Sequence, residues 1–135
     1  MPVVRVKAPA TTANLGPGYD CLGLALDVWN TLEVEIIDGG EPVVEITGEG
    51  EGELATGRDN LVYKSMQFLF DDAGEKMPAL RIRCENTIPL ARGMGSSAAA
   101  IAGGLVAANA ICSQGYLAND LLEMAATIEG HPDNV

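Results

Sequence analysis

From Gly93 to Asn119 no residue carries a charge, and the run is built largely of Ala and Gly. It is interrupted by Asn109 and falls short of the ~20 strongly apolar residues that a bilayer span needs, so it reads as a helix buried inside a protein. A helix that is apolar nearly all round has to be covered on several sides, and one sheet covers only one of them. The rest of the chain must therefore supply both a sheet and further helices to wrap it.

The flanking segments meet that demand. Residues 3–8 have the β-branched character of a strand, and Leu32-Glu33-Val34-Glu35-Ile36 alternates apolar with acidic residues as a half-buried strand does. Val44-Glu45-Ile46-Thr47 repeats the alternation after Gly39-Gly40, which predicts a β-hairpin. Asp59 or Asn60 is placed to cap a helix carrying Leu61, Val62, Met66, Phe68 and Leu69, which Gly74 and Pro78 end. Leu80-Arg81-Ile82-Arg83-Cys84-Glu85 returns to period two, with Leu80, Ile82 and Cys84 on the core side. The uncharged helix then runs from Ala98 to about Cys112, and a last helix runs from Asn119 as cap to Glu129, broken at Gly130-His131-Pro132. This order predicts an α+β fold, a mostly antiparallel sheet with its helices on one face.

At 135 residues the chain is the size of one domain. Eight basic residues against 19 acidic give a net charge of -11, which disfavours nucleic acid and anionic membrane as partners. A phosphate ligand must be held by local geometry instead. Six of the acidic residues fall between Asp38 and Glu53, with a spacing that matches a solvated turn and not a calcium loop. Cys21, Cys84 and Cys112 are odd in number and far apart, which argues against disulfides or a zinc ribbon and for a reducing cytoplasm. The first residues lead straight into a strand without the pattern of a signal peptide. Asp133-Asn134-Val135 follows a helix break as a turn that normally leads onward, so the chain reads as interrupted.

Three stretches carry chemistry. Pro89-Leu90-Ala91-Arg92-Gly93-Met94-Gly95-Ser96-Ser97 turns from a strand into the uncharged helix. Free N–H groups and the helix dipole make such a turn an anion site, and Gly93 and Gly95 permit close approach of a phosphate. The Ser96 and Ser97 hydroxyls are suited to capping the helix or to a magnesium shell, although the lysine of a Walker loop is missing and the same residues also form ordinary caps. Between two strands, a Pro- and Gly-stiffened loop offers Asn14 and Asp20, groups fit for a small polar molecule or for a plain Asx turn. In the last helix Glu123 has apolar neighbours; buried, its carboxylate calls for a cation, and on an open face it calls for nothing. His131 is the single histidine, a residue that in isolation is more often a loop hydrogen-bonder than a ligand.

Taken together, A-P-A-T-T-A-N-L-G-P-G-Y-D-C-L-G, P-L-A-R-G-M-G-S-S-A-A-A and E-G-H-P-D-N-V resemble the homoserine kinase branch of the GHMP small-molecule kinases. The second motif marks the superfamily, and the first and third point to that branch. The resemblance covers essentially the whole chain. It implies the ribosomal-protein-S5-domain-2-like N-terminal domain of these kinases over residues 1–135, without the C-terminal α+β domain of the longer family members. It further implies ATP and Mg²⁺ as cofactors and L-homoserine as substrate. By the same resemblance Pro89, Leu90, Ala91, Arg92, Gly93, Met94, Gly95, Ser96 and Ser97 bind the nucleotide, the backbone of Gly93, Met94, Gly95 and Ser96 holding its phosphates, Asn60 lies near adenine, and Ser97 with Glu123 holds the metal. Asn14, Asp20 and His131 match positions that bind the amino acid. Asp133 and Asn134 lie where a catalytic aspartate is found in related kinases, and the residues leave open which of the two faces the hydroxyl. Two other readings remain: a related kinase acting on mevalonate, shikimate or a sugar, and a non-catalytic nucleotide-binding fragment. By itself the chain is expected to be inactive, marginally stable and prone to self-association.

Overall fold

A computed structural model describes residues 3–12, 24–52, 56–87, 96–113 and 115–129. Strands β1 (Val3–Thr12), β2 (Leu24–Ile36), β3 (Val43–Gly48) and β4 (Leu80–Asn86) form one sheet, and helices α1 (Leu61–Ala73), α2 (Ser96–Ile111) and α3 (Ala118–Glu129) form one layer against it. The α+β class with a mostly antiparallel sheet is as the sequence predicts: the order is β1-β2-β4-β3, with β1–β2 and β2–β4 antiparallel and β3–β4 parallel. No helix among the described residues is long and apolar enough to cross a membrane.

The hairpin predicted across Gly39-Gly40 does not form, because β4 inserts between β2 and β3. The charges suit this order. Register aligns Arg5, Glu33, Arg83 and Glu45 in one row across the open face of the sheet, and Arg83 pairs with Glu33 at 3.8 Å and Glu45 at 3.4 Å. Arg81 similarly meets Glu35 at 3.5 Å. Pairing β2 directly with β3 would have set glutamates opposite one another, which destabilises a sheet.

The inward faces of these strands carry Leu32, Val34, Val44, Ile46, Leu80, Ile82 and Cys84, all buried against the helix layer. On α1 the buried stripe is Val62, Tyr63, Ser65, Met66, Leu69 and Phe70. Asn60 caps that helix by accepting from the Val62 N–H at 2.9 Å, and Gly74 ends it in the left-handed region at φ 68°. The uncharged helix α2 is wrapped as required, packing on α1, α3, β1 and β2, with Ile101, Leu105, Ala107 and Ala108 buried. Its closest approach is to α1 at Gly104, where a Cβ would stand 2.8 Å from the Val62 carbonyl oxygen. The cap of α3 is not Asn119, which lies inside the helix; the Asp120 carboxylate reaches back to accept from the Leu117 N–H at 3.0 Å.

Candidate functional site

Strand order decides what can meet. Thr12 pairs with Leu24, Thr31 with Glu85 and Gly48 with Asn86, so the exit of β1, the entry of β2 and the exits of β3 and β4 lie toward one end of the sheet. Helix α2 follows β4 from that end. The Asn109 amide brackets the Tyr116 backbone, accepting from its N–H at 2.8 Å and donating to its carbonyl at 3.2 Å, which folds α3 back along α2 as an αα-hairpin. Three stretches distant in sequence therefore hang from neighbouring chain ends. Asn14 and Asp20 join β1 to β2, Pro89 to Gly95 join β4 to α2, and His131, Asp133 and Asn134 follow α3. All of these lie outside the described residues.

Within the described residues, Ser96 and Ser97 open α2, so the free N–H donors and positive dipole end of a 16-residue helix start directly after the glycine-rich turn. Asn60 is buried at 6% exposure and its Oδ1 serves the cap of α1. Because Val62 abuts Gly104, α1 begins midway along α2, about 12 Å from the level of Ser96 at 1.5 Å per residue.

Helix arithmetic separates the two glutamates of α3. Ser97 lies fourteen residues before the end of α2, or about 21 Å, whereas Glu123 lies about 8 Å and Glu129 about 17 Å along the returning helix. For antiparallel helices that start level, this arithmetic leaves Glu129 about 4 Å and Glu123 about 13 Å short of Ser97 along the axis. Their surroundings differ too. Glu123 is exposed and lines a shallow depression of about 400 Å³ with Phe68, Asp72, Tyr116, Asp120 and Thr127. Glu129 is half-buried, with Oε2 shut off from solvent. Glu123 thus lacks the burial that its apolar sequence neighbours suggested, and Glu129 is the more enclosed of the two. A signal was present in the sequence. Leu121, Met124, Ala125 and Ile128 make the inward stripe of α3, and Glu129 stands four residues after Ala125 on that stripe, whereas Glu123 and Thr127 share the open face.

The turn between α2 and α3 is fastened to the end of α1. The Tyr116 hydroxyl donates to Asp72 at 2.8 Å, and burial, followed by the Asp72 carboxylate, pushes that phenol up to about 12. Glu75 accepts from the Ser113 hydroxyl and N–H and from the Cys112 thiol, and the Ser113 hydroxyl above all holds its carboxyl below the usual range.

Residues 60–135 match the family described as GHMP kinases N terminal domain. The chain is 48% identical over 132 residues to a homoserine kinase of Corynebacterium urealyticum, covering 98% of the chain and 43% of that protein. Its fold resembles the crystal structure of homoserine kinase from Cytophaga hutchinsonii, with a TM-score of 0.81 at 31% identity, over 98% of this chain and 44% of that one. Mevalonate kinase from Methanococcus jannaschii gives a TM-score of 0.78 at 14% identity, over 95% and 46% of the two chains. The chain therefore spans less than half the length of the relatives it matches.

Proposed function

The chain belongs to the GHMP kinase family, and on that premise we propose that it is the N-terminal, nucleotide-binding part of a cytoplasmic enzyme that transfers the γ-phosphoryl group of ATP to the hydroxyl of L-homoserine, a step toward threonine. One observation carries the choice of substrate. Backbone similarity is nearly the same toward homoserine and mevalonate kinases, at TM-scores of 0.81 and 0.78, whereas identity falls from 31% to 14%. The homoserine reading is thus supported by the side chains, and the fold alone would admit either. Recognition of the acceptor, nucleotide turnover and any self-association belong to the whole protein.

Phosphoryl transfer is governed by alignment and charge neutralisation, with little covalent work for the protein. Backbone N–H groups of Gly93, Met94, Gly95 and Ser96, backed by the dipole of α2, hold the phosphates, and Asn60 borders the base. Asp20 holds the ammonium group of the amino acid, with Asn14 and His131 on its other polar atoms. Asp133 or Asn134 orients the hydroxyl for in-line attack. When bound, Mg²⁺ would supply charge neutralisation at the phosphates. Oxygen donors for that hard ion come from Ser97 and a carboxylate of α3. Of the two carboxylates, Glu129 suits the role better than Glu123, since helix arithmetic brings it nearer to Ser97 and its side chain is half-buried where that of Glu123 is exposed.

The test is phosphate transfer by the complete protein, followed by ³¹P NMR with ATP, Mg²⁺ and either L-homoserine or mevalonate. A phosphomonoester only with homoserine is expected. Turnover of mevalonate, or nucleotide binding with no transfer to either acceptor, would overturn the proposal.

A further inference from the structure

We propose that Asn109, Tyr116 and Asp72 form a latch that sets the register of α3 and so positions Glu129, an inference that rests on the reading of Glu129 as the metal carboxylate. Helix α3 packs on α2 through a narrow apolar stripe, Leu121, Met124, Ala125 and Ile128. Met124 and Ala125 are its only buried residues among those described, one a flexible chain and the other nearly featureless. Its contacts with α1 are few, and its outer face carries the exposed Leu122. A stripe of two buried and two half-buried side chains leaves the exact register of the helix to be set by polar contacts. A slip of one residue would move Glu129 by about 1.5 Å along the axis and about 100° around it, far beyond what a metal ligand tolerates.

The polar groups just ahead of α3 set that register. Asn109 makes two hydrogen bonds to the backbone of Tyr116, at 2.8 and 3.2 Å, tying the residue two positions before α3 to the last turns of α2. The ring of Tyr116 packs on the core, and its hydroxyl reaches Asp72 on α1 at 2.8 Å. One residue is thereby fixed to both neighbouring helices. Asp120 then closes the first turn of α3 onto Leu117, so the helix starts from a defined point. These three are positioning residues: they touch neither nucleotide nor metal and act through the placement of Glu129.

The experiment compares the magnesium dependence of the complete kinase in Y116F, N109A, D72A, D72N and E129Q, with thermal unfolding of each. A positioning role predicts that Y116F, N109A and D72A raise the magnesium concentration for half-maximal rate about tenfold, while KM for homoserine changes little. D72N keeps an oxygen that can accept from the Tyr116 hydroxyl, so it should restore near-normal magnesium dependence. If E129Q shifts the magnesium dependence and the three latch variants do not, the latch is only structural and the inference fails alone. If E129Q leaves the magnesium dependence unchanged, the metal reading fails and the latch proposal falls with it.

Discussion

The contact of α1 with α2 at Gly104 offers a sharp test, because the neighbouring Gly103 supplies its own control. A methyl at position 104 would stand 2.8 Å from the Val62 carbonyl oxygen and 3.1 Å from the Ser65 Cβ. The first of these is backbone and the second is a buried side chain, so neither can swing aside and the helices must part by several tenths of an ångström. Overpacking of this kind costs about 1–3 kcal/mol. Replacing a mid-helix glycine by alanine returns about 1 kcal/mol of propensity. The net expectation for G104A is a loss of about 1 kcal/mol. At Gly103 a methyl meets only the Leu32 Cδ2 at 3.5 Å, an ordinary contact, so G103A should gain about 0.5–1 kcal/mol. Urea unfolding of the 135-residue chain followed by far-ultraviolet circular dichroism reads the difference, expected near 2 kcal/mol, or about 6–8 °C in midpoint for a chain of this size. Equal stability of the two variants would refute the close crossing of α1 and α2 at Gly104.

Three further outcomes are expected. The Glu75 carboxyl titrates lower in the folded state than in the unfolded chain, so its contribution is present above the unfolded value near 4.3 and fades as pH falls toward the depressed one; S113A should move acid unfolding to higher pH, and an unchanged acid midpoint would argue against the contact. The Tyr116 phenol is raised to about 12, so its stabilisation is complete below about 10 and lost as pH climbs through 12; Y116F should flatten the alkaline limb of the stability profile. Arg83 is flanked by Glu33 and Glu45 on an exposed face, so R83A should cost only about 0.5–1 kcal/mol in urea titration, whereas R83E, which puts three carboxylates in one row, should cost more.

Much of this architecture was legible in the sequence, and the exceptions have physical causes. The uncharged run demanded a helix covered on several sides, and α2 has α1 and α3 beside it and the sheet beneath. Asn60 and Gly74 marked the ends of α1 through their capping chemistry, which is local. Pairing between strands is not local: the Gly39-Gly40 turn points to β3 as the partner of β2, whereas β4, some forty residues away, takes that place, with Arg81 and Arg83 meeting the glutamates of β2 and β3. The choice between Glu123 and Glu129 turns on the same distinction. Apolar neighbours in sequence suggested burial for Glu123, but in a helix the neighbours that count are three and four residues away, and these put Glu129 on the inward stripe. Asn14, Asp20, Pro89 to Gly95, His131, Asp133 and Asn134 fall outside the described residues, so the structure speaks only to the ends from which they hang.

Those ends bear on how one frame can serve different acceptors. The sheet and helix layer superpose on a mevalonate kinase nearly as well as on a homoserine kinase. The frame therefore does little to select the acceptor; it fixes where β1 and β2, β4 and α2, and the end of α3 deliver their connections. On the proposed function, the connection into α2 starts a helix whose dipole would serve a triphosphate whatever the acceptor. By the same reading, this chain's share of the selectivity would come from the segment between β1 and β2 and the segment after α3, where a carboxylate such as Asp20 could tell an ammonium-bearing acceptor from one without it. Changes confined to those two segments should alter the acceptor while leaving ATP affinity intact. Changes to the Asn109–Tyr116–Asp72 latch should do the reverse, altering the metal and phosphate end for every acceptor alike.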